Sequence, residues 1–208
     1  MQMNPDRPSK SAGTHSKEPG AQRANLLFIM PDQLRADYLS CYGAGFVDTP
    51  NIDALAASGN RYVRAVSPSP LCVPARASLL TGMNAIKTGV PDNAHWLHPD
   101  HDALGVKTWP QHLHDSGYHT EAIGKMHFCP WDAGEGFQHR VIAEDKRHLF
   151  IQDDYCDYLE QHGLRKLHGV EHDGYQENRG AVISRIPAEH MVDAWVADQS
   201  AQFIEHYA

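Results

Sequence analysis

The chain has 208 residues, long enough for one domain with its own core. Apolar residues make up 41% and charged residues 21%, an ordinary globular composition, and the net charge of -8 argues against nucleic acid or an acidic membrane surface as partner. Any anionic ligand then needs a local basic pocket. No run of about 18 apolar residues is present, so no transmembrane helix is expected. Residues 1–23 are rich in Pro, Ser, Gly and charge and lack the apolar core of a signal peptide. They read as a disordered extension, and the protein as cytoplasmic. Cys41, Cys72, Cys129 and Cys156 lack paired spacing, which points to neither a disulfide framework nor a thiolate zinc site.

Order is expected to begin at Leu26-Leu27-Phe28-Ile29-Met30, a continuous apolar run of the kind buried on both faces of a parallel sheet. Asp32 follows it, where ligands collect beyond the carboxyl ends of strands. A carboxylate there is a candidate ligand for a hard cation, the alternative being a helix cap or turn aspartate. Thr49 to Gly59 reads as a helix stopped by its glycine, and Arg61 to Val66 alternates like a strand.

Ser69-Pro70-Leu71-Cys72-Val73-Pro74-Ala75-Arg76-Ala77-Ser78-Leu79-Leu80-Thr81-Gly82 has the form of a short helix, with proline in its first turn and glycine just past its end. Cys72 then lies at the N-terminus, where unpaired N–H groups favour an anion, and Arg76 lies four residues on along the same face. The alternative is a small buried thiol beside a surface cation. His95, His98 and His101 occupy the loop beyond; Pro99 interrupts any shared helical face, so they receive no metal role.

Thr108-Trp109-Pro110-Gln111 predicts a capping box opening a helix that ends at Gly117. Thr120 to Phe128 predicts a strand on which Lys125 and His127 face one way and Met126 and Phe128 the core; a strand end wetting its polar side is the plainer alternative. Between 129 and 186 the apolar runs are broken, and Asp153-Asp154 reads as a solvated turn or helix start. From Pro187 an amphipathic helix carries Met191, Val192, Trp195, Val196, Phe203, Ile204 and Tyr207 on its apolar stripe.

Three of these segments together resemble the sulfatase family of the alkaline-phosphatase-like superfamily. They are Cys72-Val73-Pro74-Ala75-Arg76 with its continuation to Gly82, Met30-Pro31-Asp32-Gln33, and Gly124-Lys125-Met126-His127-Phe128. The resemblance covers about residues 25 to 208. It implies an α/β fold: a mixed, mostly parallel sheet flanked by helices, incomplete at the C-terminus, with residues 24–208 a partial catalytic domain.

It further implies that Cys72 is oxidised to formylglycine by a formylglycine-generating enzyme, and that a sulfate monoester is hydrolysed with a divalent metal, calcium before manganese or magnesium. Asp32, Gln33 and the residue at Cys72 would bind the metal. Arg76 would stabilise the nucleophile, while Lys125 and His127 would contact the sulfate. Sulfatases usually have a second aspartate where Gln33 stands, and a strand followed by Asp-Gln also occurs in phosphonate monoester hydrolases and phosphodiesterases. That activity is one alternative. A catalytically silent fragment acting as a binding module is the other, since the family's second metal-binding pair comes from a later strand. With so few oxygen donors, metal binding is expected to be weak.

Overall fold

The computed structural model describes residues 23–145 and 148–207, so the expected N-terminal extension lies, except for Arg23, outside the described residues. The chain divides into two compact units, the first ending at Arg64 and the second running from Ala65 to the C-terminus.

In the first unit the expected strand at residues 26–30 does not form: the segment belongs to no ladder, and Leu26, Leu27, Phe28 and Ile29 are all more than half exposed. An apolar run becomes a strand only where a second segment pairs with it in a ladder, and among the described residues the one ladder is formed elsewhere. The same holds for Arg61 to Val66, where Tyr62, Val63 and Val66 are exposed. The unit's ordered part is helix α1 (Pro50–Ser58), with Thr49 and Gly59 at its ends as the sequence predicts. Asp53 ties this helix to the preceding 3-10 turns, its Oδ1 accepting from Cys41 N at 2.9 Å and from Thr49 Oγ1 at 3.0 Å.

The second unit begins with α2 (Cys72–Thr81), closed by Gly82 at φ 67°, followed by the single turn α3 (Ala85–Thr88). Val73 and Ala77 pack with Val90 and Leu97 in a first apolar cluster. Helix α4 (Trp109–Asp115) starts as predicted: Thr108 Oγ1 accepts from Gln111 N at 3.3 Å. Only half of the capping box forms, because the Gln111 amide turns forward to Asp115.

Strands β1 (Glu121–Gly124) and β2 (His139–Ile142) pair in parallel, with Glu121 opposite His139 and Gly124 opposite Ile142. Residues 125–138 make the crossover that parallel pairing demands. Helix α5 (Asp154–Gln161) and helix α6 (Val192–Tyr207) complete the unit. Ala143, Tyr155, Leu159 and Trp195 form a second cluster, with Val141, Val192 and Val196 packed against it. Each large apolar side chain buried there contributes about 1.5–3 kcal/mol. The N-terminal half of the predicted α6 stripe is thus used, while Ile204 and Tyr207 stay exposed. Among the described residues no helix is long and apolar enough to cross a membrane.

Candidate active site

Two structural edges meet in the second unit: the N-terminus of α2 and the carboxyl end of the β1–β2 pair. Cys72 is the first residue of α2, with its thiol free and half-buried. Leu71, the N-cap, provides no side-chain acceptor, and the cap comes from elsewhere: Asn93 Oδ1 accepts from Val73 N at 3.0 Å. An acceptor on the loop after α3 therefore satisfies one of the helix's open donors.

Strand β1 stops at Gly124, whose φ is 102°, so Lys125 and His127 do not stand on a strand. This corrects the expected alternation, and burial is the reverse of it: His127 is 9% exposed, whereas Met126 and Phe128 are only half-buried. The His127 backbone is left-handed, at φ 58°. Lys125 and His127 reach the site through this turn at the strand's end.

Lys125 Nζ lies 4.0 Å from Cys72 Sγ and 3.0 Å from Asp145 Oδ2. Arg76 is buried, and its NH1 donates to the main-chain carbonyl of Lys125, pinning α2 to the end of β1. The helix and the strand's exit are thereby tied together beside Cys72. His127 lines a cleft with Val73, Arg76, Ala77, Leu80 and Phe128. Its Nδ1 is buried and has no hydrogen-bond partner among the described residues. Burial, and next the Lys125 charge, hold the imidazole below its ordinary pKa, so it is neutral at pH 7. An ammonium beside a thiol position can receive an anion, and a neutral imidazole two residues along the same turn can exchange a proton.

Asp32 and Gln33 lie in the first unit, both exposed, in a turn where Gln33 has φ 60°. Among the described residues no group of three His, Cys, Asp or Glu stands close enough to hold a metal ion. Asp32 and Gln33 offer at most three side-chain oxygens, against the six to eight that calcium takes. The described residues therefore do not fit a complete cation centre.

Sequence reading missed Asn93, Glu144 and Asp145. Their signal is not local: each acts on a residue 18 to 20 positions away. His101, left without a role by its spacing, is engaged by the Val106 carbonyl and Glu135.

The family model described as Sulfatase matches residues 24–206. The chain belongs to the sulfatase family. Its curated relatives include an arylsulfatase of Clostridium perfringens, 32% identical over 161 residues, which cover 72% of this chain and 32% of that protein. Among solved structures, BT4656 in complex with its substrate D-glucosamine-2-N,6-O-disulfate matches at 34% identity and a TM-score of 0.52, covering 57% of this chain and 23% of that one. A phosphonate monoester hydrolase of Agrobacterium radiobacter matches at a TM-score of 0.61 and 20% identity, over 84% of this chain and 36% of that one. This last likeness concerns the fold alone, and with the first it supports the α/β fold expected of a sulfatase. The sulfatase chain described here spans about a third of the length of the arylsulfatase it matches.

Proposed function

We propose that this chain carries the nucleophile and anion-binding half of an enzyme that hydrolyses sulfate monoesters. The observation that supports it most is the approach of Lys125 Nζ to within 4.0 Å of Cys72 Sγ at the N-terminus of α2. A sulfate ester arriving there meets an ammonium and the positive end of a ten-residue helix, both of which favour negative charge. What conversion of Cys72 to formylglycine supplies is an aldehyde hydrate, with one hydroxyl to attack sulfur and a second to expel sulfate afterwards.

This chain's own groups do the rest. Lys125 holds the sulfuryl oxygens and offsets the charge that gathers on them. His127, neutral at pH 7, accepts the proton of the attacking hydroxyl or returns one to the departing oxygen. Arg76, through its bond to the Lys125 carbonyl, fixes the distance between helix and turn. No step is assigned to a cation. A divalent cation, calcium by its preference for oxygen donors, is proposed as the partner of Asp32 and Gln33 only together with donors beyond the described residues.

Gln33 in place of a second aspartate favours one further reading, hydrolysis of phosphonate monoesters or phosphodiesters at the same centre. Turnover of 4-nitrophenyl sulfate and of a phenylphosphonate monoester, compared on one preparation with Cys72 converted, separates the two. Preference for the sulfate supports the sulfatase reading, and preference for the phosphonate overturns it. No turnover of either, with Cys72 shown to be converted and the rest of the enzyme supplied, overturns both.

A further inference from the structure

The turn that carries Lys125 and His127 has left the strand ladder, yet it holds a histidine in the left-handed region at φ 58°. A non-glycine residue in that conformation costs about 1–3 kcal/mol and persists only where its surroundings enforce it. The enforcing group is Glu144. Its Oε1 accepts from Met126 N at 3.2 Å and from His127 N at 2.9 Å. Two successive N–H groups aimed at one oxygen form a small anion-binding concavity, and a carboxylate of this chain fills it.

We propose that the acidic pair Glu144-Asp145 is the positioning element of the candidate site, Glu144 setting His127 through its backbone and Asp145 tethering Lys125 through its ammonium. The proposal rests on the sulfatase reading for what the site does, and on geometry alone for how it is held. Parallel register brings the pair to its place. Gly124 stands opposite Ile142, and Ala143 N donates to Gly124 O at 3.2 Å, so the next two residues of the second strand's exit run beside Met126 and His127.

Glu144 is itself immobilised. Its N donates to Asp153 Oδ2 at 2.6 Å, its carbonyl accepts from Lys166 Nζ at 3.3 Å, and Lys166 closes the set by pairing with Asp153. Asp145 Oδ2, 3.0 Å from Lys125 Nζ, holds the ammonium where it faces Cys72. Neither carboxylate touches a reacting atom in this arrangement, so both are positioning residues rather than catalytic ones.

The test compares Glu144→Ala, Glu144→Gln and Asp145→Asn in the full 208-residue chain by amide hydrogen exchange and proton–nitrogen correlation spectra. Loss of hydrogen bonds to a charged acceptor predicts that the Met126 and His127 amides exchange about tenfold faster or more in Glu144→Ala, with Ile123 and Val141 unchanged. Glu144→Gln keeps an oxygen acceptor, so it restores the protection while both amide protons move upfield. Asp145→Asn leaves those amides alone and shifts the Lys125 side-chain resonances. Unchanged exchange at Met126 and His127 in Glu144→Ala overturns the proposal. So does an acceleration spread evenly over β1 and β2 in both Glu144 variants.

In a preparation that turns over 4-nitrophenyl sulfate, Glu144→Ala lowers kcat by about 100-fold with KM nearly constant, and Glu144→Gln recovers most of it. Absence of turnover in the parent chain counts against the sulfatase reading, whereas the exchange data decide the positioning role without it.

Discussion

Replacing Lys166 by methionine isolates one charge at the base of the site. The Lys166 and Asp153 side chains are 4% and 0% exposed, and they pair directly. Asp153 also caps α5, accepting from Cys156 N at 2.9 Å, and accepts from Glu144 N at 2.6 Å. Breaking a buried pair by removing one partner costs about 3–5 kcal/mol because the remaining charge is left without compensation. The two N–H donors that stay on Asp153 place Lys166→Met at the lower end, about 3 kcal/mol. That is a large share of a total stability of about 5–15 kcal/mol.

Asp153→Asn preserves the cap but leaves the Lys166 ammonium with the Glu144 carbonyl, so a similar loss is expected. Because the two changes remove the same interaction, the double variant should lose clearly less than the sum of the singles. Urea denaturation followed by near-ultraviolet circular dichroism reads this directly, since Trp195 and Tyr155 pack with ring centroids 5.3 Å apart in the adjoining cluster. A loss below about 1 kcal/mol for Lys166→Met, or strict additivity in the cycle, refutes the reasoning.

The remaining predictions concern other parts of the unit. Burial depresses the folded-state pKa of His127, so the unfolded chain takes up a proton more readily. Stability is therefore full above the unfolded value of about 6.5 and falls as pH drops from there to the folded pKa, then levels off. Imidazole carbon–proton spectra should place the His127 midpoint below the ordinary histidine value of about 6.5, and a higher midpoint would contradict the assignment. Gly136 has φ 92°, and a Cβ there would come within 2.5 Å of Gln111 N and Thr108 Oγ1. Gly136→Ala should accordingly cost about 1–3 kcal/mol and disturb the start of α4, whereas an unchanged melting temperature would refute this. Calorimetric titration of the 208-residue chain with calcium should show only weak binding, since no three-ligand group stands among the described residues. A Kd below about 1 μM, the range of EF-hand sensors, would show that the donor set is larger than described.

Local chemistry was legible where it acts within one turn of helix. Thr49 and Gly59 around α1, Gly82 after α2 and Thr108 before α4 all stand where the sequence puts them. Strands were less so, because a strand is a relation between segments: Leu26 to Met30 has the apolar content but joins no ladder among the described residues, while β2 was hidden in His139-Arg140-Val141-Ile142, too short and too polar to be read as a buried run. For the candidate site the sequence marks residues and not their geometry. Lys125 approaches Cys72 and Arg76 bonds the Lys125 carbonyl, yet period-two alternation fails at Gly124, and a left-handed His127 takes the place of the expected strand end. Asp153 was half-read, since it does start a helix but is buried against Lys166 rather than solvated. Nothing local marks Glu144 or Asp145, whose partners lie across a parallel crossover.

The account turns on Cys72 becoming the attacking group beside Lys125. Tandem mass spectrometry of the peptide containing Cys72, from protein produced in its own host and treated with an aldehyde-reactive hydrazide, tests this most directly. The account predicts loss of the thiol and a hydrazone at position 72. An intact cysteine thiol there, in a preparation that hydrolyses aryl sulfate, would contradict it.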